Sequence, residues 1–220
     1  MTDHPVRPRR SAGRRGTRRG LLALLAACLV ALSVAPARAD GADAGALVER
    51  LRAGGLVIYL RHADTTGEPR DRVFDLADRS GQRNLSARGR EQSAAIGAAF
   101  RRLGIPVGEV RASPVFRARD TAEIAFGADA VRVDPDLVAD DYAPDRYPAL
   151  AQELRRRFGL PPARGNTVLV GHIVPLSMAL GTRLTNATWP EGSVAVFEPL
   201  PGGGFRHLGM LAAGWERAGG

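Results

Sequence analysis

Four residues carry most of the chemistry this sequence offers: Arg61, His62, Arg117 and His172. Two are guanidinium groups, planar forks of donors that stay charged at any ordinary pH and match the oxygens of a phosphoryl group. Two are imidazoles, which near neutrality can serve as nucleophile or as hydrogen-bond donor. Phosphoryl transfer needs this mixture, because charge spreads over three equatorial oxygens while a nucleophile stands in line with the leaving oxygen. Each of the four follows a strand-like apolar run: Arg61 and His62 close Leu56-Val57-Ile58-Tyr59-Leu60, Arg117 lies just beyond 107–112, and His172 follows Thr167-Val168-Leu169-Val170-Gly171. A single histidine after a strand is more often structural than catalytic, so only the joint arrival of all four would make a site.

The elements that must deliver them alternate between helix and strand, the signature of a layered α/β domain. A short helix over 44–53 leads through Gly54-Gly55 into a buried strand over 56–60. Residues 63–83 are polar and charge-rich, and most of their charges read as a solvated loop over the site. Ser86 caps a helix that ends at Gly104-Ile105-Pro106. The strand over 107–112 turns into a helix at Ser113-Pro114, which puts Arg117 on the same sheet edge as His62, whereas Arg119 should point elsewhere, into a surface ion pair. A short edge strand over 131–133, an irregular acidic loop over 134–148 and a helix over 149–158 precede the third buried strand, 166–171. A helix over 175–180 and a hairpin of 193–200 and 205–211, joined by Pro201-Gly202-Gly203-Gly204, complete the chain. Ligands of such sheets bind outside the C-terminal ends of the parallel strands, where these residues fall.

Composition narrows the partners. The formal net charge of +8 suggests nucleic acid until its location is considered. Residues 1–39 hold eight arginines and one acid, which leaves 23 basic against 22 acidic residues in 40–220. No nucleic-acid partner is therefore expected. An Arg-rich start, an apolar run over 21–35 and Ala37-Arg38-Ala39 give 1–39 the three parts of a removable secretory signal, with export to the periplasm or beyond as the expected destination. The run is short for a membrane span, and none is expected in 40–220, which reads as one domain. Leu25-Ala26-Ala27-Cys28 resembles a lipobox, so anchoring through a lipidated Cys28 is the alternative. Cys28 is the one cysteine, hence 40–220 can form neither a disulfide nor a thiolate metal site.

Taken together, Leu60-Arg61-His62-Ala63, Ser113-Pro114-x-x-Arg117 with Thr121-Ala122-Glu123, and Val170-Gly171-His172 resemble the three ordered motifs of the histidine phosphatase superfamily. The resemblance runs from about residue 54 to the end. It implies a phosphoglycerate-mutase-like fold, a three-layer helix-sheet-helix with a mostly parallel central sheet. It also implies a phosphohistidine on His62, with Arg61, Arg117 and His172 holding the transferred oxygens, a small phosphorylated molecule as substrate, and neither metal nor cofactor.

The acid that protonates the leaving group is less evident. Acid phosphatases and phytases of the superfamily carry Asp directly after the second motif histidine, where this chain has Ile173. Mutase-like members take it from a Glu after the third strand, and the corresponding region offers Asp136, Asp140 and Asp141, with Glu191 a fourth choice. Asp141 is the choice made here, since Tyr142 and Pro144 could hold it. Thr65 could donate to phosphate from the loop after the nucleophile. The expectation is a phosphomonoester hydrolase; the alternative, motivated by Ile173, is a phospholigand-binding protein that does not turn over.

Overall fold

The computed structural model describes residues 41–67 and 70–217; the leader 1–39, with Cys28 and the cleavage motif, lies outside the described residues. Within them, β1 (Val57–Arg61), β2 (Val107–Ala112), β3 (Val131–Val133), β4 (Asn166–Gly171), β5 (Val194–Pro199) and β6 (Phe205–Leu211) form one sheet in the order β3-β2-β4-β1-β5-β6. The stretch β3-β2-β4-β1 is parallel, and β5 and β6 run antiparallel.

Period-two alternation along the strands builds two apolar layers. Ile58 and Leu60, Val168 and Val170, and Val194 and Val196 face α1 (Gly41–Ala53), α2 (Ala87–Arg102) and α3 (Phe116–Phe126). The residues between them, Val57 and Tyr59, Leu169, and Ala195 and Phe197, face α4 (Tyr147–Phe158) and α5 (Ile173–Leu180). With helices on both faces every residue of β1 is buried, which is why it reads as an unbroken apolar run. The result is the expected three-layer α/β architecture.

Most boundaries follow local chemistry. The Ser86 hydroxyl accepts from Gly89 N and caps α2, and β2 and β4 lie where their β-branched residues place them. Three differ. β1 extends through Arg61 because its ladder with β4 continues to the pair Arg61 and Gly171. α4 starts at Tyr147 and takes Pro148 into its first turn, where a missing N–H costs nothing. α5 starts at Ile173, immediately after His172.

That last shift matters for the site. β1 and β4 are parallel neighbours, so His62 and His172 leave them side by side, and His62 N donates to Gly171 O at 3.0 Å. The chain after β1 enters α2 on one face, while the chain after β4 enters α5 on the other. The crevice between the diverging connections is where open α/β sheets place ligands.

Candidate active site

His62 is fixed through its backbone and one ring nitrogen. Its carbonyl accepts from Gly192 N, and the neighbouring Ala63 N donates to Thr121 Oγ1, whose hydroxyl in turn donates to Arg117 O. Nδ1 lies 2.9 Å from the Ala63 carbonyl, which can only accept, so Nδ1 carries the proton and Nε2 keeps its lone pair. Burial pushes the imidazole well below its ordinary pKa, and Arg117, His172 and Arg61 push it further. The ring is therefore neutral, with a nucleophilic nitrogen of defined identity.

His172 lies with its ring centroid 5.4 Å from that of His62. Tyr59 holds its backbone at both ends: the hydroxyl accepts from His172 N at 2.9 Å and donates to His172 O at 3.0 Å. Only glycine fits beside this bridge, since a Cβ on Gly171 would lie 2.2 Å from the Tyr59 oxygen. His172 Nε2 is 2.8 Å from Ser113 Oγ, and Ser113 Oγ already accepts from Val115 N. Ser113 Oγ keeps both a proton and a second lone pair for Nε2, and Nδ1, buried without a hydrogen-bond partner, is the nitrogen that faces other partners. Burial, followed by Arg117, Arg61 and Arg83, keeps this ring neutral as well.

The two arginines are anchored at one end. Arg61 donates to Trp189 O at 2.6 Å and Asn186 Oδ1 at 2.8 Å, and Arg117 reaches both carboxylate oxygens of Asp71 through one nitrogen, at 3.1 and 2.8 Å. Burial, with the neighbouring Arg83 and Arg117 guanidinium groups, brings the Arg61 pKa down to about 10 against the opposing pull of Glu191. Crowding of cations in a buried place is what an oxyanion site requires. Among the described residues, Arg61 Nε, Arg117 Nε and His172 Nδ1 are buried without a hydrogen-bond partner. All three belong to the residues that the sequence assigns to phosphate, and a phosphoryl group brings the acceptors they lack.

Four further groups join this set that sequence reasoning passed over or ranked low. Arg83 contributes to the electrostatics of Arg61 and His172, and its guanidinium is 3.6 Å from Glu191. The Glu191 carboxylate is 3.9 Å from His62 Nδ1 and 3.7 Å from Arg61. Asn186, part of a glycosylation-like triplet in the sequence, instead orients Arg61. Asp71, one charge among many in 63–83, is the partner of Arg117, and its side chain is 3% exposed. Burial pushes the Asp71 carboxyl up, but Arg117, the Arg83 amide and the Tyr142 hydroxyl outweigh burial and hold it below the usual range.

Arg61, His62, Arg117 and His172 thus come together. Thr65 does not point its hydroxyl at them; it donates to Glu191 at 3.0 Å, and its amide does the same at 3.1 Å. Asp141 is exposed on a 3₁₀ turn, Asp136 serves Arg157 and Arg146, and Asp140 is half-buried with its pKa raised by burial and by Asp141. Arg119 pairs with Glu123 at 2.7 Å, as its position in α3 suggests. A cleft of about 490 Å³ opens beside the cluster, with Thr65, Arg83, Gln92, Asn186 and Glu191 in its wall. The histidines, 2% and 3% exposed, lie beneath the loop rather than in that wall. Among the described residues no group of three His, Cys, Asp or Glu is placed to hold a metal ion, and no helix is long and apolar enough to cross a membrane.

Residues 57–159 match the model of the histidine phosphatase superfamily (branch 1). The fold agrees. The product of an open reading frame of Mycobacterium tuberculosis, Rv3214, superposes with a TM-score of 0.51 at 16% identity, over 73% of this chain and 98% of that one. A phosphoserine phosphatase of Entamoeba histolytica in complex with 3-phosphoglyceric acid gives 0.50 at 13%, over 73% and 98%. No curated protein matches the sequence.

Proposed function

We propose that this protein hydrolyses phosphomonoesters through a phosphohistidine on His62. The observation that carries the reading is the state of that imidazole: Nδ1 is committed to the Ala63 carbonyl, Nε2 keeps its lone pair, and both rings are neutral among buried guanidinium groups. Nε2 attacks phosphorus in line with the ester oxygen. Arg61, Arg117 and the Nδ1–H of His172 hold the equatorial oxygens as charge builds on them. Water then attacks the phosphohistidine and releases phosphate, so one difficult displacement becomes two easier ones.

The leader-like features of 1–39 support an exported enzyme acting on small phosphorylated molecules outside the cytoplasm. The test of the chemistry is labelling with an aryl phosphate radiolabelled at phosphorus, quenched in alkaline detergent. The wild type is expected to carry acid-labile, alkali-stable phosphoryl label. His62→Ala should remove it and lower kcat/KM by about 10⁴-fold or more, whereas His172→Ala should weaken labelling without moving it. Label that persists in His62→Ala overturns the nucleophile assignment. Binding of phosphate without turnover of any ester would favour the phospholigand-binding reading.

A further inference from the structure

The two steps above need a group that gives a proton to the leaving oxygen and later takes one from water. The residue after His172 is Ile173, and Asp141 is exposed on its turn. Two carboxylates approach the cluster, Asp71 at Arg117 and Glu191 at Arg61 and His62 Nδ1. Glu191 stands by Nδ1, the nitrogen tied to Ala63. In-line attack from Nε2 places the leaving oxygen beyond phosphorus, away from Nδ1. Glu191 is also occupied by Thr65 N and Oγ1.

Asp71 comes from the loop 63–83 and pairs with Arg117, one of the two arginines assigned to the transferred oxygens. Its carboxylate accepts from Arg117, from Tyr142 OH at 2.8 Å and from Arg83 N at 2.7 Å. We propose that Asp71 is the proton donor and acceptor of this active site, a reading that rests on the phosphohistidine reaction proposed above. An incoming phosphoryl dianion claims Arg117, and Asp71 loses the cation that keeps it ionised and takes up a proton from solvent. As the bond from Nε2 to phosphorus forms and the ester P–O bond breaks, that proton passes to the ester oxygen, which leaves as an alcohol. In the second step water bonds to phosphorus and yields a proton to the Asp71 carboxylate, and the N–P electron pair returns to Nε2. The charged and titratable groups around Asp71 are Arg117 from α3, Arg83 from its own loop, and Tyr142 from the segment after β3. Arg117, the Arg83 amide and the Tyr142 hydroxyl all favour the carboxylate, so release of Arg117 to the phosphoryl group removes the largest of these contributions.

The experiment compares Asp71→Asn, Glu191→Gln and wild type on two esters, p-nitrophenyl phosphate, whose leaving group needs no proton, and a simple alkyl phosphate, whose leaving group does. Asp71→Asn is expected to lose about 10²–10³-fold in kcat/KM on the alkyl ester and about tenfold or less on the aryl ester. Phosphohistidine should still form on His62 and should accumulate from the aryl ester, because water lacks its base. The basic limb of the alkyl-ester pH profile should disappear, and Asp71→Glu should recover part of the difference between esters. Equal losses on both esters would make Asp71 a positioning residue for Arg117, and an unchanged or raised rate would make it a competitor for that arginine; either result overturns the proposal. So does a leaving-group-dependent loss in Glu191→Gln instead. A wild type that forms no phosphohistidine and hydrolyses neither ester overturns the proposed function as well.

Discussion

Two charged segments flank the active site, and they use their carboxylates in opposite ways. The segment 134–148 is the more acidic in appearance, yet Asp134 and Asp136 turn to Arg157, with Arg111 and Arg146 as further partners, and Asp141 faces solvent. These pairs pin the segment to α4 and β2. The loop 63–83 mixes both signs, and Arg70, Arg72, Asp75 and Arg79 are exposed, but one carboxylate, Asp71, is delivered to a buried arginine of the site. Density of acids in sequence therefore says little about which acid reaches the chemistry. What decides is where the nearest unsatisfied cation lies: Arg157 intercepts the first set, and Arg117 draws in the single member of the second.

If the two segments divide labour in this way, stability and catalysis should separate on mutation. Asp134→Ala leaves Arg157 with a broken buried pair, and about 2–3 kcal/mol of stability should be lost in urea unfolding; the figure sits below that of a dry pair because Arg111 is 36% exposed. Its kcat/KM should match wild type. A large catalytic loss without a stability loss would erase the contrast.

A second check uses pH. Both histidines have folded-state pKa values below 6.5, so the unfolded chain binds more protons as pH drops below 6.5. Their contribution is whole above that pH and is lost as pH falls, by up to about 1.4 kcal/mol per pH unit for each ring. Asp71 and Asp134 are held ionised, so their contribution is present above the ordinary carboxylate range near pH 4 and lost only below it. Urea midpoints from pH 8 to 3 should show the two windows, with His172→Gln flattening the upper one and Asp134→Asn the lower. A single window would mean the groups are coupled. The smallest effect belongs to Asp141→Ala, which should change kcat/KM less than about twofold and stability by no more than about 0.5 kcal/mol; a leaving-group-dependent loss there would restore the acid that the sequence favoured.

Much of this molecule was legible in the chain because it rests on local rules. The strands β1 and β4 declared themselves as apolar runs buried on both faces, Ser86 as a cap, and Arg61, His62, Arg117 and His172 as the residues at strand ends or just beyond them. A strand fixes where its last residue emerges, and three ordered motifs fix which strands must meet. The tautomer of His62, the hydroxyl bridge of Tyr59 and the Ser113 contact were not legible, since each depends on backbone atoms that meet only when β1, β2 and β4 lie side by side. Nor was the place of Asp71, 46 residues from Arg117, inside a loop of mixed charge. Sequence determined the floor of the site, because periodicity and strand ends are encoded by neighbours. Tertiary structure alone decided its roof, because a loop charge goes where burial has left a cation in need of a partner.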